Sequence, residues 1–541
     1  MSAPRRLLSL VGLGLIVALT GCIDAAPAAT PSPEALPAVE PRAPADPLTV
    51  VADSDPGAAS IALSEALFAS APAAVVGAPD DATAASAAVA LGVPHLVAGE
   101  EPKPLQAELE RLGARYAVVA DGTDAELDGV DTVALPRTAA DASDALGVDL
   151  PACSGGSAVA DILALDPAAP CLIEAEATST PSPAPDAAAL PKIPRGEPVP
   201  SAVALLAGDG TGLAAAATAR AAGTRTVLLP PDDLNPQRSP DAIAALSAQE
   251  TNAVLAVGAG FAEDAALDWR IRSARTGWQL PGGGQVLFPN HFVVAIYGTP
   301  GAPVLGILGE QDLPASIERA RQHADPYRAL TDREVVPAFE IITSIASGSP
   351  TTDGDYSSEI DLESLRPWVE EAGRQGLYVV LDLQPGRTDF LTQAKRYEAL
   401  LSYPWVGLAL DPEWRIGPDQ KHLVQIGSVG ADEINSVVDW LAQLADEKSL
   451  PPKLLVLHQF RLSMITDRDR VDTSRPQVTV LVHADGQGGQ GAKQDTWNTL
   501  RRDTTIPWWG WKNFYDEDAP MLSPEQTMSG VAPTPDLITY Q

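Results

Sequence analysis

Val406-Gly407-Leu408-Ala409-Leu410-Asp411-Pro412-Glu413-Trp414 is the stretch that decides the fold. Five apolar residues in an unbroken run, closed by an acid and a proline, read as a strand buried on both faces, the form that a parallel sheet takes. Runs of the same kind flank it at residues 292–297, 335–344 and 378–383, and again at 454–457, 478–482, 507–511 and 536–540, the last being the weakest. Between them lie helical stretches at 313–323, 362–375, 393–401, 433–447 and 493–502. Seven or eight βα units in roughly 250 residues predict a (β/α)8 TIM-type barrel over residues 285–541. An open doubly wound sheet is the competing topology.

The ends of these runs carry the chemistry. Glu340, Asp382, the pair Asp411 and Glu413, His458-Gln459, His483-Ala484-Asp485 and Trp511-Lys512 all fall at carboxyl ends. In a barrel such positions face one shared cavity. Asp411 and Glu413 are two apart and are expected on one face, with Asp382 on the neighbouring strand about 4.8 Å away. Glycoside hydrolysis needs such a group: one carboxylic acid to protonate the leaving oxygen and one carboxylate to attack or to activate water. Burial and like charge keep the acid protonated.

The expected catalytic residues are therefore Asp382, Asp411 and Glu413, with Glu413 as general acid and Asp382 or Asp411 as nucleophile or base. Glu340, Trp414, His458, Gln459, His483, Asp485, Trp511 and Lys512 are expected to hold substrate. Trp414, Trp508, Trp509 and Trp511 would offer flat faces to sugar rings; eight of the ten tryptophans lie between Trp368 and Trp511. This layout resembles the barrel glycosidases, without their glutamates at the ends of strands four and seven. The bland alternative pairs Asp411 with Arg415 and buries the tryptophans as core.

A metal-dependent hydrolase is the rival chemistry, since His458 and His483, with Asp485, resemble amidohydrolase-type ligands. The first strand has no His-x-His pair, so no metal is expected. No GxSxG elbow occurs to recommend serine-nucleophile chemistry. Gly208-Asp209-Gly210-Thr211-Gly212 has no lysine to cradle phosphate, and no cofactor is expected.

Upstream, the chain repeats itself in two α/β units, 49–176 and 201–280, separated by a Pro-rich linker at 177–200. Val50-Val51-Ala52-Asp53 leads through an Ala-rich helix to Ala74-Val75-Val76-Gly77-Ala78-Pro79-Asp80-Asp81. Leu205-Leu206-Ala207-Gly208-Asp209 leads likewise to Val227-Leu228-Leu229-Pro230-Pro231-Asp232-Asp233. Later strands match as well, Tyr116 to Gly122 with Ala253 to Gly258. Alternating apolar runs and helices predict Rossmann-like βαβ units. These units resemble the cell-wall-binding repeat type 2 of Gram-positive surface proteins, which implies attachment to wall polymers. Asp53, Asp80, Asp81, Asp209, Asp232 and Asp233 are expected mainly as helix caps.

At the start, Arg5 and Arg6 precede an apolar run from Leu7 to Leu19 that closes on Leu19-Thr20-Gly21-Cys22. This resembles a bacterial lipoprotein signal of residues 1–21, and the resemblance implies lipidation of Cys22 and a place on the outer face of the plasma membrane. Seven prolines between Ile23 and Leu48 predict an extended tether over 22–48. Cys153 and Cys171 are the only other cysteines, an even pair expected to form a disulfide in an exported chain. A formal net charge of −35 excludes nucleic acid as partner. The expected partners are cell-wall or other polysaccharide, and the membrane through the lipid anchor. The non-catalytic alternative is a wall- or saccharide-binding scaffold on the same anchor.

Overall fold

Eight parallel strands close into a barrel: His291–Gly298, Glu334–Ala346, Tyr378–Leu383, Val406–Leu410, Lys453–Gln459, Val478–Ala484, Trp508–Asn513 and Leu537–Tyr540. The structure is a computed structural model and describes residues 36–99, 101–123, 127–153, 156, 158–174, 189–208 and 212–541. The first strand pairs with the second at Val294 and Pro337 and with the last at Val294 and Ile538, which closes the sheet and rules out the open alternative. The weakest run in the sequence is thus the one that closes the ring. Strand bounds match expectation to within a few residues. The second strand runs longer, and its extension pairs antiparallel with Ser357–Glu359, an excursion the sequence did not announce.

Side chains alternate across the barrel wall because the strand period is two. Phe292, Val294, Ile296, Leu408, Leu410, Leu455, Leu457, Val480 and Val482 face out to the helices. Val293, Ala295, Val336, Ala338, Val380, Ala409, Val456, Leu481 and Leu537 fill the interior. The helices supply matching stripes. Leu362–Arg374 starts where Asp361 accepts from the Ser364 amide, and it buries Leu365, Val369 and Ala372 at spacings of four and three. Ala431–Glu447 buries Ile434, Val437, Val438, Leu441, Leu444 and Ala445 on one face. Each leucine, isoleucine or valine among them contributes about 1.5–3 kcal/mol by leaving water.

Ahead of the barrel stand two four-stranded parallel sheets with a shared plan. In one, Ala73–Gly77 lies between His95–Val97 and Tyr116–Ala120, with Asp131–Leu135 at the far edge. In the other, Ala202–Ala207 lies between Arg225–Leu229 and Ala253–Val257, and the far edge is Leu48–Val51. The sequence repeat is therefore out of step by one strand. Val50 and Val51 complete the second sheet instead of opening the first, and Ala73–Gly77 is the true counterpart of Ala202–Ala207. The Ala-rich helices that follow those two strands, Ala82–Leu91 and Gly212–Ala221, pack on each other in one core.

Two further expectations need correction. The described end of the Pro-rich tether is packed: Leu36 and Val39 are buried, and Glu40–Pro41 pairs antiparallel with Phe68–Ser70. The described end of the second Pro-rich stretch is packed as well, through buried Leu190, Ile193 and Val199 and the bond from Arg195 to the Val89 carbonyl. Scattered apolar residues among prolines suffice when a neighbouring core offers them a slot. Cys22 and Asp209 lie outside the described residues. Cys153 and Cys171 form the expected disulfide. Among the described residues no helix is long and apolar enough to cross a membrane.

Candidate active site

Each barrel strand places one polar side chain in the interior, at or just past its carboxyl end except for Glu340, which stands midway along a strand that runs on to Ala346. In strand order these are Tyr297, Glu340, Asp382, Asp411, His458, His483, Lys512 and Thr539, and every one is buried. They stand two residues beyond the apolar layer formed by Ala295, Ala338, Val380, Ala409, Val456, Leu481, Gly510 and Leu537. Strand register carries the ring round: His458 lies beside His483, and Lys512 beside Thr539. Asp485, one inward position past His483, joins the ring.

His458 is the hub. Its Nε2 lies 2.7 Å from Glu340 Oε1 and its Nδ1 lies 2.9 Å from Asp485 Oδ2, with Asp382 Oδ1 at 3.9 Å. Burial works against a charge on this ring, but Glu340 and Asp382, together with the two hydrogen bonds, hold its pKa well above the ordinary value. His458 is thus an imidazolium that donates from both nitrogens at neutral pH. His483, with ring centroids 4.9 Å away, is held well below the ordinary value by burial and then by the charges of His458 and Lys512. Its neutral ring reaches Thr539 Oγ1 through Nε2 at 2.9 Å. Gly510 makes room for it, since a Cβ there would lie 2.6 Å from His483 Cδ2.

The carboxylates diverge from one another. Asp382 accepts from the Tyr297 hydroxyl at 2.8 Å, and burial pushes its pKa up to about 6 against the pull of His458. Burial takes Asp411 well above the carboxylate range, again opposed by His458 and reinforced by Asp382, Asp485 and Glu413. Glu413, half-buried at the edge of the ring, is pushed up to about 7 by burial and then by Asp485. Burial would raise Asp485 too, but the hydrogen bond and charge of His458 outweigh it and leave it below the ordinary value. Tyr297 stays protonated, its pKa raised by burial and by the surrounding acids. The Lys512 ammonium sits 3.6 Å from the Tyr297 ring centroid, a cation–π contact at the ring's other side.

Three carboxylate oxygens here, Glu340 Oε2, Asp382 Oδ1 and Asp485 Oδ1, are buried with no hydrogen-bond partner among the described residues. An unpaired buried acceptor of this kind costs about 1–3 kcal/mol, so the ring carries three acceptors open to a hydroxyl or amide donor.

Several expected site residues lie elsewhere. Gln459 follows His458 on the strand and so faces out, where its amide oxygen accepts from Arg468 at 2.5 Å. Trp509 and Trp511 face out too and stack edge-on against Trp497 at 5.9 and 5.7 Å. Trp508 faces in but at the opposite mouth, against Phe288 at 5.2 Å. Only Trp414 of the expected sugar platform is on the rim, edge-on to His422 at 5.4 Å. Asp411 and Glu413 are not two residues of one strand. The strand stops at Leu410, and Asp411 caps the short turn Pro412–Trp414 by accepting from the Glu413 amide at 3.2 Å. Arg415 pairs with Glu433 at 3.0 Å and leaves Asp411 unneutralised. Tyr297 and Thr539 were missed, although Val293-x-Ala295-x-Tyr297 and Leu537-x-Thr539 show the inward parity that would have found them.

For a divalent cation, Glu340, His458 and His483 offer ligand atoms within 4.8 Å of one another. A metal there would have to displace the proton that joins His458 Nε2 to Glu340. Asp353, Asp355 and Glu359 form a second such trio on the excursion after the second strand. Asp355 there already accepts from Thr351, Ser357 and Thr388.

No family model matches the chain, and no curated protein does. Among solved structures, Cwp6 from Clostridium difficile is similar at 13% identity and a TM-score of 0.31, over 62% of this chain and 62% of that chain. A likeness this slight says nothing about chemistry.

Proposed function

We propose that the chain is a lipid-anchored protein of the outer face of a bacterial plasma membrane, and that its barrel hydrolyses glycosidic bonds in envelope or exogenous polysaccharide. The observation that carries the reading is the split among the ring's acids. Glu413, raised to about 7, is about half protonated at neutral pH and stands at the edge of the ring. Asp382, at about 6 and held by Tyr297, is the acid that ionises near neutrality, whereas burial holds Asp411 well above the carboxylate range. This favours Asp382 over Asp411 as nucleophile or base. Glu340, Asp485 and His483 would meet substrate hydroxyls, and the His458 imidazolium keeps the pocket from accumulating negative charge. The signal-like start ending at Cys22 supports the anchor.

The test is reducing-sugar release from a panel of wall and storage polysaccharides, with wild type beside Glu413→Gln and Asp382→Asn. Turnover lost in both variants supports a glycosidase. Retained wall binding with no turnover on any substrate favours the scaffold instead. The Glu340, His458 and His483 trio favours a second reading, a metal-dependent hydrolase. Activity that dialysis against a chelator removes, and zinc restores, would select it.

A further inference from the structure

The barrel has a second polar mouth. At its amino-terminal end a cavity of about 320 Å³ opens between the second α/β unit and the bottom of the barrel. Arg238, Arg270, Arg475 and Asp233 line it, together with Phe288 and Trp508. Three arginines around one cavity stand out in a chain whose formal charge is −35. Their acidic partners are mostly not part of its wall. Arg270 is held by Asp264 at 2.8 Å, and Arg475 by Asp439 at 2.6 Å and Asp472 at 3.4 Å, none of which lines the cavity. Arg238 meets Asp233, the one acid in the wall, at 3.5 Å. The acids outside the wall fix two of the guanidinium groups in place, a preorganisation that lowers the entropy lost when an anion binds.

We propose that this cavity binds a single anionic sugar unit, its carboxylate or phosphate held by the arginines and its ring against Trp508. The volume suits a monosaccharide and sits at the small end of ligand pockets. Guanidinium forks match both anions, and an indole face suits the C–H face of a pyranose. The site is independent of the ring of carboxylates, which lies at the other end of the barrel.

Calorimetric titration of the full chain with D-glucuronate, D-glucose 6-phosphate and D-glucose tests this. One or both anions should bind saturably, with Kd below about 1 mM, and glucose should not. The anion that binds more tightly tells carboxylate from phosphate. Arg475→Gln and Arg238→Gln should each weaken binding about tenfold, whereas Glu413→Gln should leave it unchanged. Arg475 is half exposed, so its variant keeps the fold. No saturable binding of either anion, equal binding of glucose, indifference to both arginine variants, or loss in Glu413→Gln would each overturn the proposal.

Discussion

The α/β units and the barrel both end strands in aspartate, and Asp81 and Asp382 put it to opposite use. In the first unit Asp81 follows Ala73–Gly77 and turns back on the next helix, where Oδ1 accepts from the Thr83 and Ala84 amides at 2.9 and 3.0 Å. Asp55 does the same for the Ala58 amide at 2.8 Å. These acids satisfy backbone groups that a helix start leaves open, and they remain partly in water. In the barrel, Asp382 caps no helix, is wholly buried, and meets a tyrosine hydroxyl and an imidazolium. An acid after a strand is therefore no site by itself. Asp382 differs because closure of the sheet turns it inward among other polar groups and leaves its oxygens without backbone donors.

The largest expected break of this contrast is in catalysis. Glu413→Gln should lower kcat on a turned-over glycoside by about 10²–10⁴-fold, the usual contribution of a positioned acid, with thermal stability little changed. Asp81→Ala should leave kcat untouched. Next comes the hub. His458→Asn leaves Glu340 and Asp485 without their cation, and breaking a buried pair of this kind costs about 3–5 kcal/mol, readable as a lower urea midpoint for the barrel transition.

A smaller and more discriminating effect is the sign of the response at two aspartates. Asp81→Ala removes a cap and should destabilise by about 1 kcal/mol. Asp411→Asn should do the reverse in alkaline solution. The folded-state pKa of Asp411 is raised, so its stabilising effect is full below about pH 4 and is lost as pH rises toward that folded value. An asparagine keeps the bond from the Glu413 amide and carries no charge, so the variant should gain stability over wild type at pH 8 and match it at pH 4 in denaturant melts. Smallest of all is the effect of a chelator: with the His458 Nε2 proton joined to Glu340, dialysis against EDTA should leave turnover within about twofold of untreated protein, a change of under 0.5 kcal/mol.

The barrel was legible because its strands are short, unbroken apolar runs set at regular intervals, and the polar residues after them fall at carboxyl ends. Position along the strand locates the ring, and the parity of each residue decides the rest. Counting inward residues by twos keeps Glu340, Asp382, His458, His483, Asp485 and Lys512, sends Gln459, Trp509 and Trp511 to the helix layer, and adds Tyr297 and Thr539. Pro412 breaks the count for Glu413, because a turn begins there and the strand period no longer applies. Strand order in the α/β units was not legible at all. Leu48–Val51 and Ala73–Gly77 are both short runs carrying a Val-Val pair, and such a run carries no address saying which sheet it will join.

Acid catalysis in the ring requires a carboxyl group that keeps its proton near neutral pH. Infrared difference titration of wild type and Glu413→Gln reads this directly and needs no substrate. A protonated-carboxyl band that disappears at about pH 7 in wild type and is missing in the variant is the predicted result. If no band separates the two proteins, or the Glu413 band titrates at about pH 4 like an ordinary surface acid, the ring is not tuned for acid catalysis and the glycosidase reading is wrong.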